Sequence, residues 1–300
     1  MTVQLLFDET ALSAYTDAEL EQYINECASI KTTREEVVRR LSPHLVAKPV
    51  AWPEDPQDEV LALERARAVG VNVPAVRRVV PCDDDGHFII MDYVEGPTIE
   101  QLWKSMGLLS TIRIAWQLRS YLRAMATITA PITGGLHSGR THSEWLDALH
   151  GPVKRASPAM FTNYLNWWLT DCRPSVCEPR PDLTIQPAPR HILVHQDLVP
   201  RNMIVDRRGA LWLIDWGHAG FYPAFMEYAG MDAARGLAMS WLSAPTWAAW
   251  WARARWALLR FIACGFGWRY SKQLAALRVV RQRSLRFRMA KGPYSDSEQQ

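Results

Sequence analysis

A short segment in the second half of the chain contains polar residues that could act together in catalysis. His195-Gln-Asp-Leu-Val-Pro-Arg-Asn202 follows one apolar run, and Asp215-Trp-Gly follows another. The residues between them have the pattern of strand, turn and strand, so both polar groups lie at one edge of a hairpin. Phosphoryl transfer requires a carboxylate that accepts a hydroxyl proton and oxygen ligands that hold Mg²⁺ against phosphates. The spacing therefore predicts Asp197 as the catalytic base and Asn202 and Asp215 as Mg²⁺ ligands.

The same two motifs resemble a known family. HQDLVPRN followed by LIDWGHAG is similar to the paired motifs of aminoglycoside phosphotransferases, choline kinases and many fungal proteins of that group, within the protein-kinase-like superfamily. The resemblance implies transfer of the γ-phosphoryl group of ATP, with Mg²⁺, to a hydroxyl of a small molecule. It also implies that His195 shapes the catalytic loop without being the base. Protein kinases have HRDLxxxN followed by DFG, so Gln196 and Trp216 argue against that class.

Lys48 ends an apolar stretch upstream, where a buried cation is costly unless it is paired. By the same resemblance, Lys48 contacts the α- and β-phosphates of ATP and forms an ion pair with an acidic residue of the next helix. Glu59 lies at the distance typical of the family, and Glu64 is the alternative. A surface lysine that extends into water is the other interpretation of Lys48 taken alone.

The sequence Ile90-Met-Asp-Tyr-Val-Glu-Gly96 resembles the segment that joins the two lobes in this family and whose backbone contacts adenine. The resemblance makes four residues of this segment candidate adenine contacts, namely Met91, Asp92, Tyr93 and Val94.

The chain also departs from the family pattern. The turn between the first two predicted strands is Ser42-Pro-His44, which is not a glycine-rich phosphate loop. Gln196 and Val199 replace the glycine and histidine that are common in the family's catalytic motif. These departures leave a second hypothesis open, in which the protein is a catalytically weak pseudokinase that binds nucleotide or another protein.

The pattern of elements predicts an α+β chain with the two-lobed, protein-kinase-like fold that the resemblance implies. A capping box at Thr16 and Glu19 starts a predicted helix in an N-terminal extension, residues 1–35. Residues 36–95 are predicted to form a small antiparallel-sheet lobe that binds nucleotide, and residues 96–300 a larger, mainly helical lobe with the catalytic and acceptor-binding groups. The predicted strands are 37–41, 45–50, 75–80, 88–94 and 191–194, and the predicted helices include 58–68, 111–129, 146–149 and 161–172.

Composition and charge limit the partners. The five cysteines lack paired spacing, so neither disulfides nor a zinc site is expected, and a reducing cytoplasm is the predicted location. The formal net charge is +3, and basic residues are concentrated in the last fifty positions. We interpret these residues as a solvated helical face packed through arginine stems, which disfavours nucleic acid as a partner. Arginines interrupt the apolar stretch 241–268, so no membrane span and no membrane partner are predicted.

The acceptor is the least determined part of the prediction. Among the residues that follow the metal motif, Glu227 and Asp232 are the carboxylates available to attract amines, and the chain then becomes strongly basic. A polycationic aminoglycoside is therefore not the expected acceptor. Several tryptophans are interpreted as packing between helices, with an aromatic wall for an apolar or quaternary ammonium acceptor as the alternative. These are Trp241, Trp247, Trp250, Trp251 and Trp256.

Overall fold

The computed structural model describes residues 7–31, 37–51, 53–82, 86–146, 151–172, 175–237, 247–265 and 270–287. These residues form a small lobe built on an antiparallel sheet and a larger lobe that is mainly helical. This arrangement confirms the predicted α+β class.

The small lobe contains a five-stranded sheet with the strand order β1-β2-β3-β5-β4, in which all neighbours are antiparallel. Helix α1 packs on one face of the sheet and helix α2 on the other. The elements are α1 (Asp17–Glu26), β1 (Ser29–Lys31), β2 (Val37–Arg40), β3 (Leu45–Val50), α2 (Pro56–Ala68), β4 (Val76–Pro81) and β5 (His87–Asp92).

Strand β3 determines which side chains face the cleft between the lobes. Successive side chains of a strand point to opposite faces of the sheet. Leu45 and Ala47 join the apolar cluster beneath α1, whereas Val46 and Val50 join the cluster beneath α2. Lys48 has the parity of Val46 and Val50, so its side chain faces α2.

Strand β1 was not predicted, because three residues are too short to show a hydrophobic period. It lies within the segment that the sequence analysis assigned to the N-terminal extension. As a result, the turn at residues 42–44 is the second connection of the sheet and not the first. The expectation that residues 42–44 connect the first two strands of the sheet is therefore wrong. The first connection, residues 32–36, lies outside the described residues.

The larger lobe contains the remaining helices and two small antiparallel sheets, one with the order β10-β7-β6 and one formed by β8 and β9. Its helices are α3 (Ile99–Leu102), α4 (Leu108–Met125), α5 (Pro158–Thr170), α6 (Phe225–Leu237), α7 (Trp247–Ala263) and α8 (Ser271–Arg286). Its strands are β6 (Thr129–Ala130), β7 (His191–Val194), β8 (Met203–Val205), β9 (Leu211–Leu213) and β10 (Gly220–Tyr222). Most of the predicted helix at 146–149 lies outside the described residues.

The interpretation of the basic residues of the last helices as a solvated face holds for Arg253, Lys272, Arg278 and Arg286, which are exposed, and is wrong for two arginines of α7. Arg255 and Arg260 on α7 are buried. Arg255 donates hydrogen bonds to the carbonyl oxygens of Trp103 and Met106, and Arg260 forms an ion pair with Asp232. A guanidinium group has five N–H donors, so it can satisfy buried oxygen atoms that would otherwise lack a partner. Arg269, Arg288 and Lys291 lie outside the described residues.

The tryptophans also divide into two groups. Trp256 is buried in the main core, where its indole nitrogen donates to the carbonyl oxygen of Met231, as the packing interpretation predicted. Trp247, Trp250 and Trp251 are exposed, so that interpretation is wrong for them. Trp241 lies outside the described residues. None of the described helices combines the length and hydropathy required to span a membrane.

Candidate active site

The loop after β7 holds Asp197 and Asn202 in contact. The side-chain nitrogen of Asn202 donates to Asp197 Oδ2 at 2.7 Å and to the Asp197 carbonyl oxygen at 3.0 Å. Arg201 donates to the same Oδ2 atom at 3.2 Å. Because the side-chain nitrogen of Asn202 donates to Asp197, the side-chain oxygen of Asn202 is the atom that can coordinate a metal ion. Arg201 was not predicted, although it stands within the catalytic motif, four residues after Asp197.

His195 is buried and connects this loop to the end of β9. Its Nε2 atom donates to the carbonyl oxygen of Ile214 at 3.0 Å, and its Nδ1 atom accepts from the backbone nitrogen of Asp197 at 3.2 Å. Burial lowers the pKa of His195, so the neutral ring is favoured. Both ring nitrogens are thus used in fixing the backbone around Asp197. These contacts support the predicted role of His195 in shaping the loop.

Lys48 joins the two lobes through two ion pairs, of which the one with Glu59 is buried. Its Nζ atom lies 2.9 Å from Glu59 Oε2 on α2 and 2.6 Å from Asp215 Oδ1 after β9. The backbone nitrogen of Trp216 donates to Glu59 Oε1 at 3.1 Å, so Glu59 contacts both lobes. Glu64 is exposed, which leaves Glu59 as the partner of Lys48. The interpretation of Lys48 as a solvated surface residue is therefore wrong.

Asp215 has a backbone conformation that few non-glycine residues adopt, with φ of +64°. Burial alone would raise the pKa of its carboxyl group, but the charge and hydrogen bond of Lys48 outweigh burial and hold the pKa at about 2. Asp215 is therefore ionised at neutral pH. A Cβ atom at Gly217 would lie 3.5 Å from Lys48 Nζ, so glycine there keeps the space beside the ion pairs open.

In the segment that joins the lobes, Met91 and Asp92 have different contacts. Met91 pairs across the sheet with Val46, and both belong to the apolar cluster that faces α2. The Asp92 carboxylate turns towards β4, where it forms an ion pair with Arg77 at 2.6 Å. Tyr93 donates its backbone N–H to the carbonyl oxygen of His44 at 2.7 Å. Val46 was not among the candidate adenine contacts. Its position two residues before Lys48 could have indicated that it lies on the same face of the sheet.

Glu227 on α6 is a further residue whose position was not predicted. It is buried beneath the catalytic loop and accepts the backbone N–H groups of His195 at 2.7 Å and Gln196 at 3.2 Å. Burial raises the pKa of Glu227 to about 7. Asp232 is also buried, between Arg260 and Arg278. Neither carboxylate is available to attract amines, so that part of the sequence interpretation is wrong.

A cavity of about 430 Å³ lies beside the ion pairs, between the start of α2 and the loop that precedes α5. Glu54 and His142 line it, together with Gly217, and the Glu54 carboxylate lies 3.7 Å from the His142 ring. Burial and the nearby His218 and Lys48 lower the pKa of His142 to about 4, and burial raises the pKa of Glu54. The pKa values of Glu54 and His142 are thus both shifted in the direction that favours the neutral form.

Comparisons with known proteins agree with this fold. The model of the phosphotransferase enzyme family, APH, matches residues 21–274, whereas no curated protein sequence matches the chain. The solved aminoglycoside phosphotransferase APH(4)-Ia has 12% identity and a TM-score of 0.55, and the match covers 92% of this chain and 90% of that chain. A thermostable mutant of that enzyme, in a ternary complex with ADP and hygromycin B, has 13% identity and a TM-score of 0.54, with 90% and 89% covered. These likenesses show the fold, and the family match over most of its length shows that the chain belongs to the phosphotransferase enzyme family.

Proposed function

We propose that this protein transfers the γ-phosphoryl group of ATP, with Mg²⁺, to a hydroxyl group of a small molecule. The observation that carries the proposal is the bridge from Lys48 to Glu59 and Asp215, with Asp197 and Asn202 in direct contact nearby. One cation, its ion-pair partner Glu59 and the three groups proposed as base or metal ligands then come from both lobes and lie near the cleft. Membership of the phosphotransferase family supports the reaction class.

In the proposed reaction the acceptor oxygen attacks the γ-phosphorus, its bond to phosphorus forms, and the bond from the β,γ-bridging oxygen breaks to release ADP. The Asp197 carboxylate orients the acceptor hydroxyl and takes its proton. Hydrogen bonds from Asn202 and Arg201 hold that carboxylate in place. Lys48 positions the α- and β-phosphates through its ammonium group. The rate then depends mainly on placement and charge, because the transition state is loose.

The residues present fit Mg²⁺. The amide oxygen of Asn202 and the carboxylate of Asp215 are hard oxygen donors, and Mg²⁺ in such enzymes is held by one or two protein groups together with substrate phosphates. The described residues contain no cluster of three or more histidine, cysteine or acidic side chains that would hold a metal without phosphates. When bound, the ion neutralises charge on the phosphates.

The adenine is proposed to lie against the apolar face of the sheet at Val46 and Met91, next to the backbone of residues 92–94. This surface has the apolar character that a nucleotide base requires, and Ile30 and Tyr93 pack at its margin. The similar structure with bound ADP supports a nucleotide site in this fold.

The acceptor is proposed to enter the cavity beside Gly217. Several of its carboxylates are already engaged, since Asp58 accepts the backbone N–H groups of His137 and Ser138 at 2.6 Å and 2.9 Å. Glu54 is the cavity carboxylate that could contact a ligand, since it lies 3.7 Å from the His142 ring, beyond hydrogen-bond distance. We therefore propose an uncharged or singly charged acceptor, and rapid phosphorylation of kanamycin would contradict this.

The first experiment is calorimetry of ATP binding with and without Mg²⁺, for the wild type, Asp215→Ala and Asp197→Asn. We expect Asp215→Ala to lose Mg²⁺-dependent binding, because one metal ligand and the partner of Lys48 are both removed. Asp197→Asn should retain binding and lose about 10²- to 10⁴-fold in turnover, because it lacks the base. Asp182→Ala changes an exposed carboxylate of the same charge and should behave as wild type.

ATP consumption is then measured with panels of alcohols, amino alcohols and sugars. Nucleotide binding that survives Asp215→Ala would remove this residue from its proposed role. Wild-type protein that binds no nucleotide under any metal condition would reject the proposal and favour the pseudokinase or interaction-module hypothesis.

A further inference from the structure

A cluster of exposed apolar side chains lies where two helices of the larger lobe begin. At the start of α7, Trp247 is 82% exposed, Trp250 67% and Trp251 42%. At the start of α4, Leu109 is 84% exposed, and Leu108 beside it is also exposed. We call these five residues the tryptophan patch. Large apolar groups that cluster at a surface mark a site of interaction with an apolar partner.

The two helix ends are neighbours in the fold. Arg255 on α7 donates to the carbonyl oxygen of Trp103 at 2.8 Å and also to that of Met106. Trp251 lies one helical turn before Arg255, and Leu108 lies two residues after Met106. The guanidinium group of Arg255 thus fixes the first half of α7 against the segment that precedes α4, so the exposed side chains of both helices lie at the same end of this helix pair.

The surroundings of the tryptophan patch are basic. No aspartate or glutamate occurs between Asp232 and Asp296, and α4 contains none either. Arg253 on α7 and Lys104 and Arg113 at the start of α4 are exposed. A surface that combines exposed tryptophan and leucine with arginine and lysine, on two helices that contain no carboxylate, has the composition of an anionic membrane interface.

We propose that the tryptophan patch binds the surface of a membrane rich in anionic lipids. Indole rings favour the headgroup region, where the ring is in contact with acyl chains and the N–H group with water. The exposed arginines and lysine add attraction to anionic headgroups. Because no described helix can span a bilayer, the contact is peripheral. The proposal departs from the sequence expectation that no membrane is among the partners of this protein.

Other occupants fit the surface less well. In a symmetric dimer the same patch meets itself, so Arg253 and its basic neighbours of one copy would face the same cations of the other copy. Single-stranded nucleic acid stacks on aromatic rings, but it offers nothing to the aliphatic side chains of Leu108 and Leu109. A bilayer accommodates the indole rings, the leucines and the cations together.

The test is cosedimentation of the full chain with sucrose-loaded vesicles, either of phosphatidylcholine alone or of an equimolar mixture of phosphatidylcholine and phosphatidylglycerol. Wild-type protein should bind the mixed vesicles and be displaced by salt, with little binding to phosphatidylcholine alone. The double variant Trp247→Ser/Trp250→Ser should bind the mixed vesicles about tenfold more weakly or worse, because two exposed indoles no longer enter the interface. Arg253→Glu should weaken binding as well.

Matched controls separate the tryptophan patch from general hydrophobicity and charge. Leu285→Ser removes an exposed apolar side chain of α8, and Arg67→Glu makes the same charge change as Arg253→Glu on the small lobe. Both should bind like wild type, and thermal melting confirms that each variant is folded. All changed side chains are exposed and lie outside the proposed active site, so ATP turnover should be unchanged in solution.

Three outcomes would overturn the proposal. One is equal binding to both kinds of vesicle, or binding that survives the double variant. Another is a concentration-dependent dimer in solution that the double variant abolishes, which would assign the tryptophan patch to a second copy. The third is tryptophan-dependent binding of single-stranded DNA without binding to vesicles. None of these results depends on phosphotransferase activity.

Discussion

Lys48 shows how charge is balanced at single residues of the proposed site. One ammonium group faces two carboxylates, Glu59 and Asp215, so the cluster keeps an excess negative charge. The depressed pKa of Asp215 means that its pairing stabilises the folded protein above the usual carboxyl range near pH 3.8 and that this contribution is lost as the pH falls through about 2. At working pH the excess charge suits a divalent cation.

Glu227 predicts a pH dependence of the opposite sign. Burial raises its pKa from 4.5 to about 7, so the folded protein binds the proton more tightly than the unfolded chain does. This contribution to stability is complete below pH 4.5 and is lost as the pH rises through about 7, on the order of 3 kcal/mol in total. We therefore expect the free energy of unfolding of the wild type, minus that of Glu227→Gln, to decrease as the pH rises from 4.5 to about 7. Urea unfolding measures both values.

Glu227→Gln keeps the size of the side chain and removes its titration. The contributions of all other titrating groups to the pH dependence therefore cancel in the difference. A difference that stays constant or grows between pH 4.5 and 7 would show that the two backbone N–H groups keep Glu227 ionised despite burial.

At the scale of elements, α2 is fixed against the larger lobe by its first turn. Asp58 accepts the backbone N–H groups of His137 and Ser138, and the Asp55 carboxylate lies 2.7 Å from the His137 ring. Glu59 follows directly and meets Lys48. The helix that carries the partner of Lys48 is thus positioned by contacts with the other lobe, in addition to its packing on the sheet.

The contact between α6 and the catalytic loop depends on Gly230. A Cβ atom there would lie 1.9 Å from the carbonyl oxygen of Gln196. Helix propensity alone would favour Gly230→Ala by about 1 kcal/mol. We expect the clash to outweigh this gain and to destabilise the protein by about 1–3 kcal/mol, with reduced turnover, because the backbone before Asp197 must shift.

Denaturant unfolding and kinetics of Gly230→Ala check this prediction. Gly107→Ala is the control, because a Cβ atom at Gly107 has no neighbour within 4 Å, and its effect should stay within about 1 kcal/mol. A stabilised Gly230→Ala with full turnover would mean that α6 does not press on the loop.

At the scale of the whole molecule, the last three helices are joined by Asp232. Its carboxylate pairs with Arg260 on α7 and, at 2.6 Å, with Arg278 on α8. Asp232→Ala leaves the buried Arg260 without its carboxylate and should destabilise the fold by about 3–5 kcal/mol. Thermal and denaturant unfolding measure the effect.

The matched control is Asp182→Ala, which breaks the exposed pair with Arg180 and should leave the free energy of unfolding close to that of the wild type. Equal effects of the two substitutions would show that the buried pairs do not hold α6, α7 and α8 together.

The sequence alone determined the local elements and the family. Strands β3 and β7 have the predicted bounds, because each is a short, mostly apolar run that follows a proline-containing turn or loop. The motif around Asp197 and Asp215 identified the family because its residue types and spacing are rare in combination. Short elements such as β1 gave no signal, since three residues contain too little of any hydrophobic period.

Only the tertiary structure decided which carboxylate pairs with Lys48, where Glu227 lies, and which tryptophans and arginines are exposed. A hydrophobic or charged residue on a helix has the same local pattern whether a neighbouring helix covers it or not. Trp256 and Trp250 illustrate this, because they lie on one helix and differ only in what packs against them. Burial, ion pairing and pKa depend on contacts between residues far apart in the chain, and the sequence pattern of one element does not contain them.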